Sequence, residues 1–189
     1  MRFYPYNITD TCAVWNILSS TTLYRAALTA GCYFACTSYV LYECLMKPRK
    51  RQTTADTTLC KRLAQERSRG RFQEFHLTLD ELEDIALLER HRRLAKGELS
   101  SLAFARNNRQ AFLTDDKKAK RLGDEICDPG MCQTTPQMVG WLFGNGELVD
   151  TDFETVIREH EEVNRPLSKQ FEAMYREGLQ YRLMERKSA

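Results

Sequence analysis

Short apolar runs alternate along the chain with longer segments of helical periodicity, and this alternation limits the possible folds more than any other feature. Strands that alternate with helices predict a parallel sheet covered by helices. We therefore expect an α/β protein with a central parallel sheet flanked by helices and with further helices towards its C-terminal end.

The individual elements follow from local patterns. Five strands are expected: one ending near Asp10, one over 32–36, one over 71–78, one in "AFLTDD" and a short one around "MCQTT". The Thr-x-x-Glu spacing at 78–81 and again at 151–154 is typical of capping boxes, which begin helices. The apolar periodicity predicts a last helix over about 166–183.

Paired acidic residues follow one of these strands directly. The stretch "AFLTDDKKAKRLGDE", residues 111–125, places Asp115 and Asp116 where a buried strand ends and a basic helix begins. Asp10 lies at the corresponding place after the first strand. Functional groups gather at the carboxyl ends of parallel strands, so we expect these acids to share one edge of the sheet.

Two more acids have similar surroundings, Glu43 in "YVLYE" and Glu98 in "KGELSSLAFA". Buried carboxylates are costly unless they are paired or bound to metal, and hard oxygen ligands suit Mg²⁺ or Mn²⁺. Converging acids without evident basic partners therefore indicate a divalent-cation site. Simple helix caps explain Glu98 and Asp116 equally well on pattern alone.

Four motifs in order, strand–Asp–Thr, "YVLYE", "GELSSLAFA" and "LTDDKKAKRLG", resemble the PIN domain. The likeness is closest to the VapC-type toxin nucleases and covers about residues 5–147. It implies a three-layer α/β/α nuclease domain over 1–147, with a C-terminal helical extension, 148–189, packed on it. The catalytic acids that it implies, matched one by one, are Asp10, Glu43, Glu98, Asp116 and Asp115.

The resemblance assigns Mg²⁺ or Mn²⁺ to Asp10, Glu98 and either Asp116 or Asp115. Thr11 and Thr114 match the small hydroxyl residues that support such a site.

The function that the resemblance implies is a metal-dependent endoribonuclease, the toxin of a toxin–antitoxin pair. An RNA substrate, an antitoxin protein and a homodimer are implied with it. The alternative is a catalytically inactive PIN-fold subunit that binds RNA or serves as a scaffold; the complete set of acids counts against it. A DNase or flap-type nuclease would need additional helical arches, for which this chain is short.

Charge is unevenly distributed although the formal net charge is only +2. Residues 47–71 hold nine Lys or Arg against two acids, whereas residues 150–162 hold six acids against one Arg. Such asymmetry indicates one face that attracts a polyanion and another that repels it, or else two solvated helix faces. The side chains expected to contact RNA phosphates are Arg49, Lys50, Arg51, Lys117, Lys118, Lys120 and Arg121.

Seven cysteines without regular spacing argue against a disulfide framework and for a reducing compartment, so we expect a cytoplasmic protein. "CDPGMC" at 127–132 lacks a second Cys or His pair at zinc-like spacing. No run of eighteen apolar residues occurs, so no contact with a membrane is expected.

Overall fold

A five-stranded parallel sheet forms the centre of the protein. The computed structural model describes residues 1–48, 51–91 and 94–188, apart from the side chains of 84, 87–91 and 186–188. The strands are β1 (Tyr6–Thr9), β2 (Tyr33–Thr37), β3 (Gln73–Phe75), β4 (Ala111–Leu113) and β5 (Cys132–Gln133). They lie in the order β3-β2-β1-β4-β5, and every neighbouring pair is parallel.

Helices connect these strands, as parallel pairing requires. They are α1 (Thr11–Ser19), α2 (Thr21–Thr29), α3 (Ser38–Leu41), α4 (Thr54–Ser68), α5 (Leu79–His91), α6 (Lys96–Asn107), α7 (Lys117–Ile126), α8 (Thr135–Asn145), α9 (Asp150–Glu162) and α10 (Ser168–Ser188). One π-helical turn, Tyr42–Met46, continues α3. Among the described helices, none is long and apolar enough to cross a membrane.

The sheet is buried on both faces, and side chains alternate between them. In β2, Phe34 and Cys36 join one hydrophobic cluster with α1, α2, α4, α8, α9 and α10. Ala35 joins the opposite cluster, with Ile8 of β1, Phe112 of β4 and helices α5, α6 and α7. The predicted α/β class with a central parallel sheet is therefore confirmed, and the arrangement is consistent with a PIN-like three-layer α/β/α fold.

The two predicted capping boxes have opposite outcomes. At 78–81 the prediction is confirmed, because the Thr78 N–H donates to Glu81 Oε2 at 2.8 Å and the Glu81 N–H donates to the Thr78 hydroxyl at 3.3 Å. At 151–154 it is wrong, because Asp152 accepts from the Val149 N–H at 2.9 Å and α9 begins one residue before Thr151. Asp152 and Glu154 lie two residues apart, and the earlier acid, Asp152, accepts the capping hydrogen bond.

Helices α8 and α10 pack closely against each other. Backbone of α10 approaches α8 so nearly that a Cβ at position 178 would lie 3.2 Å from both the Gly140 carbonyl carbon and the Gly144 nitrogen. A Cβ at position 140 would lie 2.6 Å from the Met174 carbonyl oxygen. Residues of the 148–189 segment thus pack on α8, while the domain boundary at 147/148 stays a prediction.

We expect Gly178→Ala to destabilise the protein by about 1–3 kcal/mol, since the new methyl group must push two helix backbones apart. Gly144→Ala is the matched control. Its new Cβ would lie at an ordinary 3.4 Å from Tyr181 Cδ1, and the helix propensity of alanine is higher than that of glycine. Urea denaturation of both variants measures the difference. Equal stabilities would show that the α8–α10 contact is looser than described.

Candidate active site

Asp10 follows β1 directly and begins α1. Its Oδ1 accepts a hydrogen bond from the Ala13 N–H at 2.8 Å, and its Oδ2 accepts one from the Thr114 hydroxyl. The side chain is fully buried. Burial raises the pKa of Asp10 to about 7; the two hydrogen bonds lower it, and the charges of Asp115 and Glu98 raise it further.

Thr114 joins the ends of the two central strands. β4 lies beside β1 in parallel register, with Thr9 opposite Leu113, so the next residues, Asp10 and Thr114, are neighbours. They lie where the carboxyl ends of the strands meet, which we call the carboxyl edge. The Thr114 hydroxyl also accepts a hydrogen bond from the Asp116 N–H at 3.1 Å. A single buried hydroxyl therefore orients both the first acid and the backbone of the acidic pair.

The Asp115 carboxylate contacts residues of α1 and α8. Its Oδ2 accepts from Asn16 Nδ2 at 2.7 Å and its Oδ1 from the Thr135 N–H at 2.8 Å. Burial raises the pKa of Asp115, and hydrogen bonds from Thr135 and Asn16 lower it. The carboxylate is held at a fixed orientation by donors from two different helices.

Asp116 is the N-cap of α7, through hydrogen bonds from the Lys118 and Ala119 N–H groups to Oδ1 at 2.8 and 2.9 Å. Glu98 contributes to the cap of α6 from the opposite side: it lies in the first turn of the helix, and its Oε2 accepts from the N–H of the N-cap residue Ala95 at 2.8 Å. The helix-cap explanation is thus correct for both residues, although it does not exclude a second role. Each cap engages one carboxylate oxygen, and the other can still bind a cation.

The pKa of Glu98 is raised above its ordinary value, mainly by burial. The Ala95 N–H and Lys118 oppose this shift, whereas the charges of Asp116 and Glu43 add to it. Glu98 therefore lies within electrostatic reach of three other acids, since its own charge also raises the pKa of Asp10.

Glu43 lies in the π-helical turn, where the Lys47 N–H donates to the Tyr42 carbonyl at 2.8 Å. Such turns are rare in proteins, and those that occur often lie at functional sites. Glu43 Oε2 accepts from the Thr11 hydroxyl at 2.6 Å, and Lys47 Nζ lies 3.8 Å from Oε1. A Cβ at Gly97 would lie 2.9 Å from Glu43 Cδ, so the absence of a side chain there makes room for the carboxylate.

Two serines of "GELSSLAFA" connect α6 to the ends of two strands by hydrogen bonds. The Ser101 hydroxyl donates to the Thr9 carbonyl at 2.9 Å, at the end of β1. Ser100 and Thr37 share a hydrogen bond of 2.7 Å at the end of β2. These bonds to two adjacent strands fix the start of α6, and hence Glu98, against the edge that carries Asp10.

All five predicted acids thus lie at the carboxyl edge, connected by mutual electrostatic effects. They do not form a finished coordination shell: among the described residues, no three His, Cys, Asp or Glu side chains converge as a metal centre requires. Each carboxylate is instead held by protein donors. The predicted supporting residues Thr11 and Thr114 both contact an acid of the set.

Asn16 and Cys12 belong to this neighbourhood and were not identified from the sequence. Asn16 is buried and binds Asp115, while its carbonyl oxygen lies 2.9 Å from His160 Nε2. Burial, together with the charges of Asp10 and Asp115, raises the pKa of Cys12 to about 12. Both residues lie on the first turns of α1, and a polar Asn among the apolar residues of "CAVWNIL" was the available signal.

The predicted phosphate-binding residues are not equivalent. Arg49 and Lys50 lie outside the described residues, and Arg51 is exposed. Lys120 Nζ lies 2.6 Å from both oxygens of Asp124, and Arg121 Nε lies 3.3 Å from Glu125 Oε1. Lys117 and Lys118 are exposed at the start of α7, beside Asp116.

Comparisons with models of protein families, with curated proteins and with solved structures found no significant match. The fold and the geometry of the carboxyl edge are therefore the basis for assigning a function.

Asp10→Asn should make the stability less dependent on pH. The pKa of Asp10 is about 7 in the folded protein and 3.8 without burial, so the folded state binds more protons between these values. The free energy of unfolding then falls as pH rises from about 4 to 7. The variant should be more stable than the wild type at pH 8, by up to about 4 kcal/mol, and similar at pH 4.

Urea denaturation at pH 4, 6 and 8 measures this difference. Asp128→Asn, which replaces an exposed aspartate, is the control and should change stability equally at all three values. A difference between Asp10→Asn and wild type that does not vary with pH would contradict the electrostatic description of this edge.

Proposed function

We propose that the protein is a PIN-like, metal-dependent endoribonuclease that acts as the toxin of a toxin–antitoxin pair. The observation that carries the proposal is the position of Asp10. It is fully buried at the centre of the carboxyl edge, and the charges of Asp115 and Glu98 both act on it. A buried carboxylate beside two other acids is costly to maintain unless the group binds a cation.

The donor set suits Mg²⁺ or Mn²⁺, the cations that the resemblance implies. Every candidate ligand is a carboxylate, and carboxylate oxygens are the ligands that these hard ions prefer. Burial is the largest cause of the raised pKa values of Asp10, Asp115 and Glu98, and neighbouring acids raise the pKa values of Asp10 and Glu98 further, an effect that a bound cation would offset. Asp10, Glu98, Asp116 and Asp115 are the residues that would hold the cation, with Glu43 completing the acidic edge.

A divalent cation supplies activation of water and stabilisation of charge on the reacting phosphate when it is bound. The chain's own residues prepare this chemistry by fixing the acids. Thr114 and the Ala13 N–H hold Asp10, while Asn16 and the Thr135 N–H hold Asp115. Thr11 holds Glu43. Preorganised acids spend no free energy on reorientation during the reaction.

One observation favours the alternative, an inactive PIN-fold subunit that binds RNA or serves as a scaffold. Asp115 has both oxygens engaged by protein donors, and no three acids of the described part converge. In an inactive protein, the only role of Asp115 would be to form these structural hydrogen bonds. The dependence of RNA cleavage on metal separates the two proposals.

The partners follow from the resemblance: an RNA substrate, an antitoxin protein and a second copy of the chain. Tyr42 and Met46 flank Glu43, and both are exposed, by 53% and 72%. Apolar side chains beside the acidic edge suit an antitoxin segment that covers it. All seven cysteines are free thiols, which supports the cytoplasm as the compartment.

The first functional prediction is RNA cleavage that requires Mg²⁺ or Mn²⁺ and stops in EDTA. Asp10→Asn should abolish cleavage, since it removes the carboxylate at the centre of the acidic set, whereas Asp128→Asn should cleave at the wild-type rate. Mg²⁺ should also raise the unfolding midpoint of the wild type but not of Asp10→Asn. Cleavage that persists in chelator would exclude the metal mechanism, and folded protein without any cleavage would favour the scaffold.

The second prediction separates the basic residues of α7. Replacing Lys117 and Lys118 by Gln should weaken RNA binding and reduce the slope of log affinity against log salt by about 1.4, as for two lost phosphate contacts with a single strand. Lys120→Gln with Arg121→Gln is the matched control. Its effect should be smaller, because both cations are already paired with acids on α7.

Fluorescence anisotropy with a labelled single-stranded RNA measures both slopes, with Asp10→Asn in the background to prevent cleavage. Equal slopes for the two double variants would show that RNA follows another path.

A further inference from the structure

A cavity of about 270 Å³ lies at the far end of α1 from the acids. Leu18, near the C-terminus of α1, contributes to its wall, as do Ser20, Thr21 and Tyr24 from the start of α2. Asp10 caps the opposite end of α1, and nine helical residues span roughly 13 Å. The cavity is thus separate from the candidate active site.

The wall of the cavity is strongly basic. It contains four arginines and one acid: Arg25, Arg62, Arg69, Arg71 and Glu66. Glu159 lies just behind it, where its Oε2 accepts from the Thr22 N–H at 3.1 Å. Four positive and two negative charges leave a net charge of +2 around the cavity.

Two of the guanidinium groups are held in place by Glu66. Arg69 Nη1 donates to Glu66 Oε1 at 2.7 Å, and Arg71 Nη1 donates to Oε2 at 2.6 Å. The Tyr24 hydroxyl donates to the same Oε2 at 2.9 Å. A guanidinium carries five N–H donors in a rigid fork, so each group that binds Glu66 through Nη1 can bind a further anion.

The other two arginines have different surroundings. Arg62 Nη1 donates to the Leu18 and Ser19 carbonyls at 2.7 and 3.1 Å, which fixes it across the end of α1. Arg25 is exposed and contributes to the cavity wall from α2. Its replacement is therefore not expected to disturb the fold.

We propose that this cavity binds a small dianionic ligand of the phosphate monoester class. A phosphate monoester carries about −1.5 to −2 charge at pH 7, which matches the net charge of the surroundings, and three acceptor oxygens. The Thr21 hydroxyl lies in the wall beside the arginines, whereas the Ser20 and Tyr24 hydroxyls already donate to Glu159 and Glu66. The volume is close to the lower limit of about 300 Å³ for ligand pockets, so the ligand is small.

The test is isothermal titration of the full chain with sodium phosphate, in buffer whose ionic strength is matched with sodium chloride. Wild-type protein should bind inorganic phosphate, and Arg25→Gln should weaken the affinity about tenfold, the loss expected for one charged hydrogen bond. Lys61→Gln is the matched control. It removes the same charge from an exposed residue of α4 outside the cavity wall, and the affinity should stay unchanged.

Arg25→Glu serves as a second variant, and it should abolish binding by reversing the charge. Unchanged circular dichroism spectra and unfolding midpoints without phosphate establish that the variants fold. Absence of phosphate binding to the wild type would overturn the proposal. An equal loss in Arg25→Gln and Lys61→Gln would also overturn it, because the effect would then be a general one of surface charge.

A phosphate monoester could be a free small molecule or the 5′ end of an RNA strand. Short RNA with and without a 5′-phosphate distinguishes the two sources, with the Asp10→Asn protein used to prevent cleavage. Binding that is tighter for RNA with a 5′-phosphate than for the same RNA without it, a difference that Arg25→Gln removes, assigns the site to an RNA end. Phosphate binding without that preference assigns it to a free monoester. Neither readout depends on ribonuclease activity.

Discussion

The hydrogen bond from Thr114 to Asp10 connects the ends of β1 and β4, and the arrangement of the acidic edge depends on it. Because β1 is the central strand, its end is the point that residues from β2, β4 and α6 can all approach. Thr114 orients Asp10 and, through the Asp116 N–H, the backbone that begins α7. Without this contact, Asp10 would keep only the hydrogen bond from the Ala13 N–H, whereas Asp115 would still be held by its own donors.

The edge accumulates more negative charge than the fold alone requires. A helix cap needs one polar side chain, and Ser or Thr would cap α1 or α7 without any charge. Asp10 and Asp116 occupy these caps instead, and Glu98 caps α6 beside them. Burial raises the pKa values of Asp10 and Glu98 and the neighbouring acids raise them further, so these residues reduce stability at neutral pH. Residues that lower stability where neutral ones would suffice are typical of binding and catalytic sites.

Much of this edge could be predicted from the sequence, because strand ends and acids are local features. Asp10 and Asp115 each follow an apolar run, and parallel pairing then brings them together. The role of Asn16 could not be predicted, since its bond to Asp115 spans 99 residues and depends on how α1 packs on the sheet. No local pattern predicts helix α2, because its "TTLYRAALT" segment is weakly apolar and follows α1 almost without a linker. The close approach of Glu43 to Gly97 could not be predicted either, because no local sequence pattern indicates which element packs against a glycine.

The basic excess of residues 47–71 shows why a charge count along a sequence does not locate a surface. Helix α4 and the residues after it carry part of that excess away from the acidic edge: Arg62, Arg69 and Arg71 line the cavity at the far end of α1. Lys47 instead lies 3.8 Å from Glu43, at the edge itself. One continuous basic segment therefore contributes to two separate places, and the length of α4 sets the distance between them. The cations of this segment therefore do not form one patch, which is why RNA binding is tested at the exposed lysines of α7 and the arginine cavity is tested with a ligand of its own.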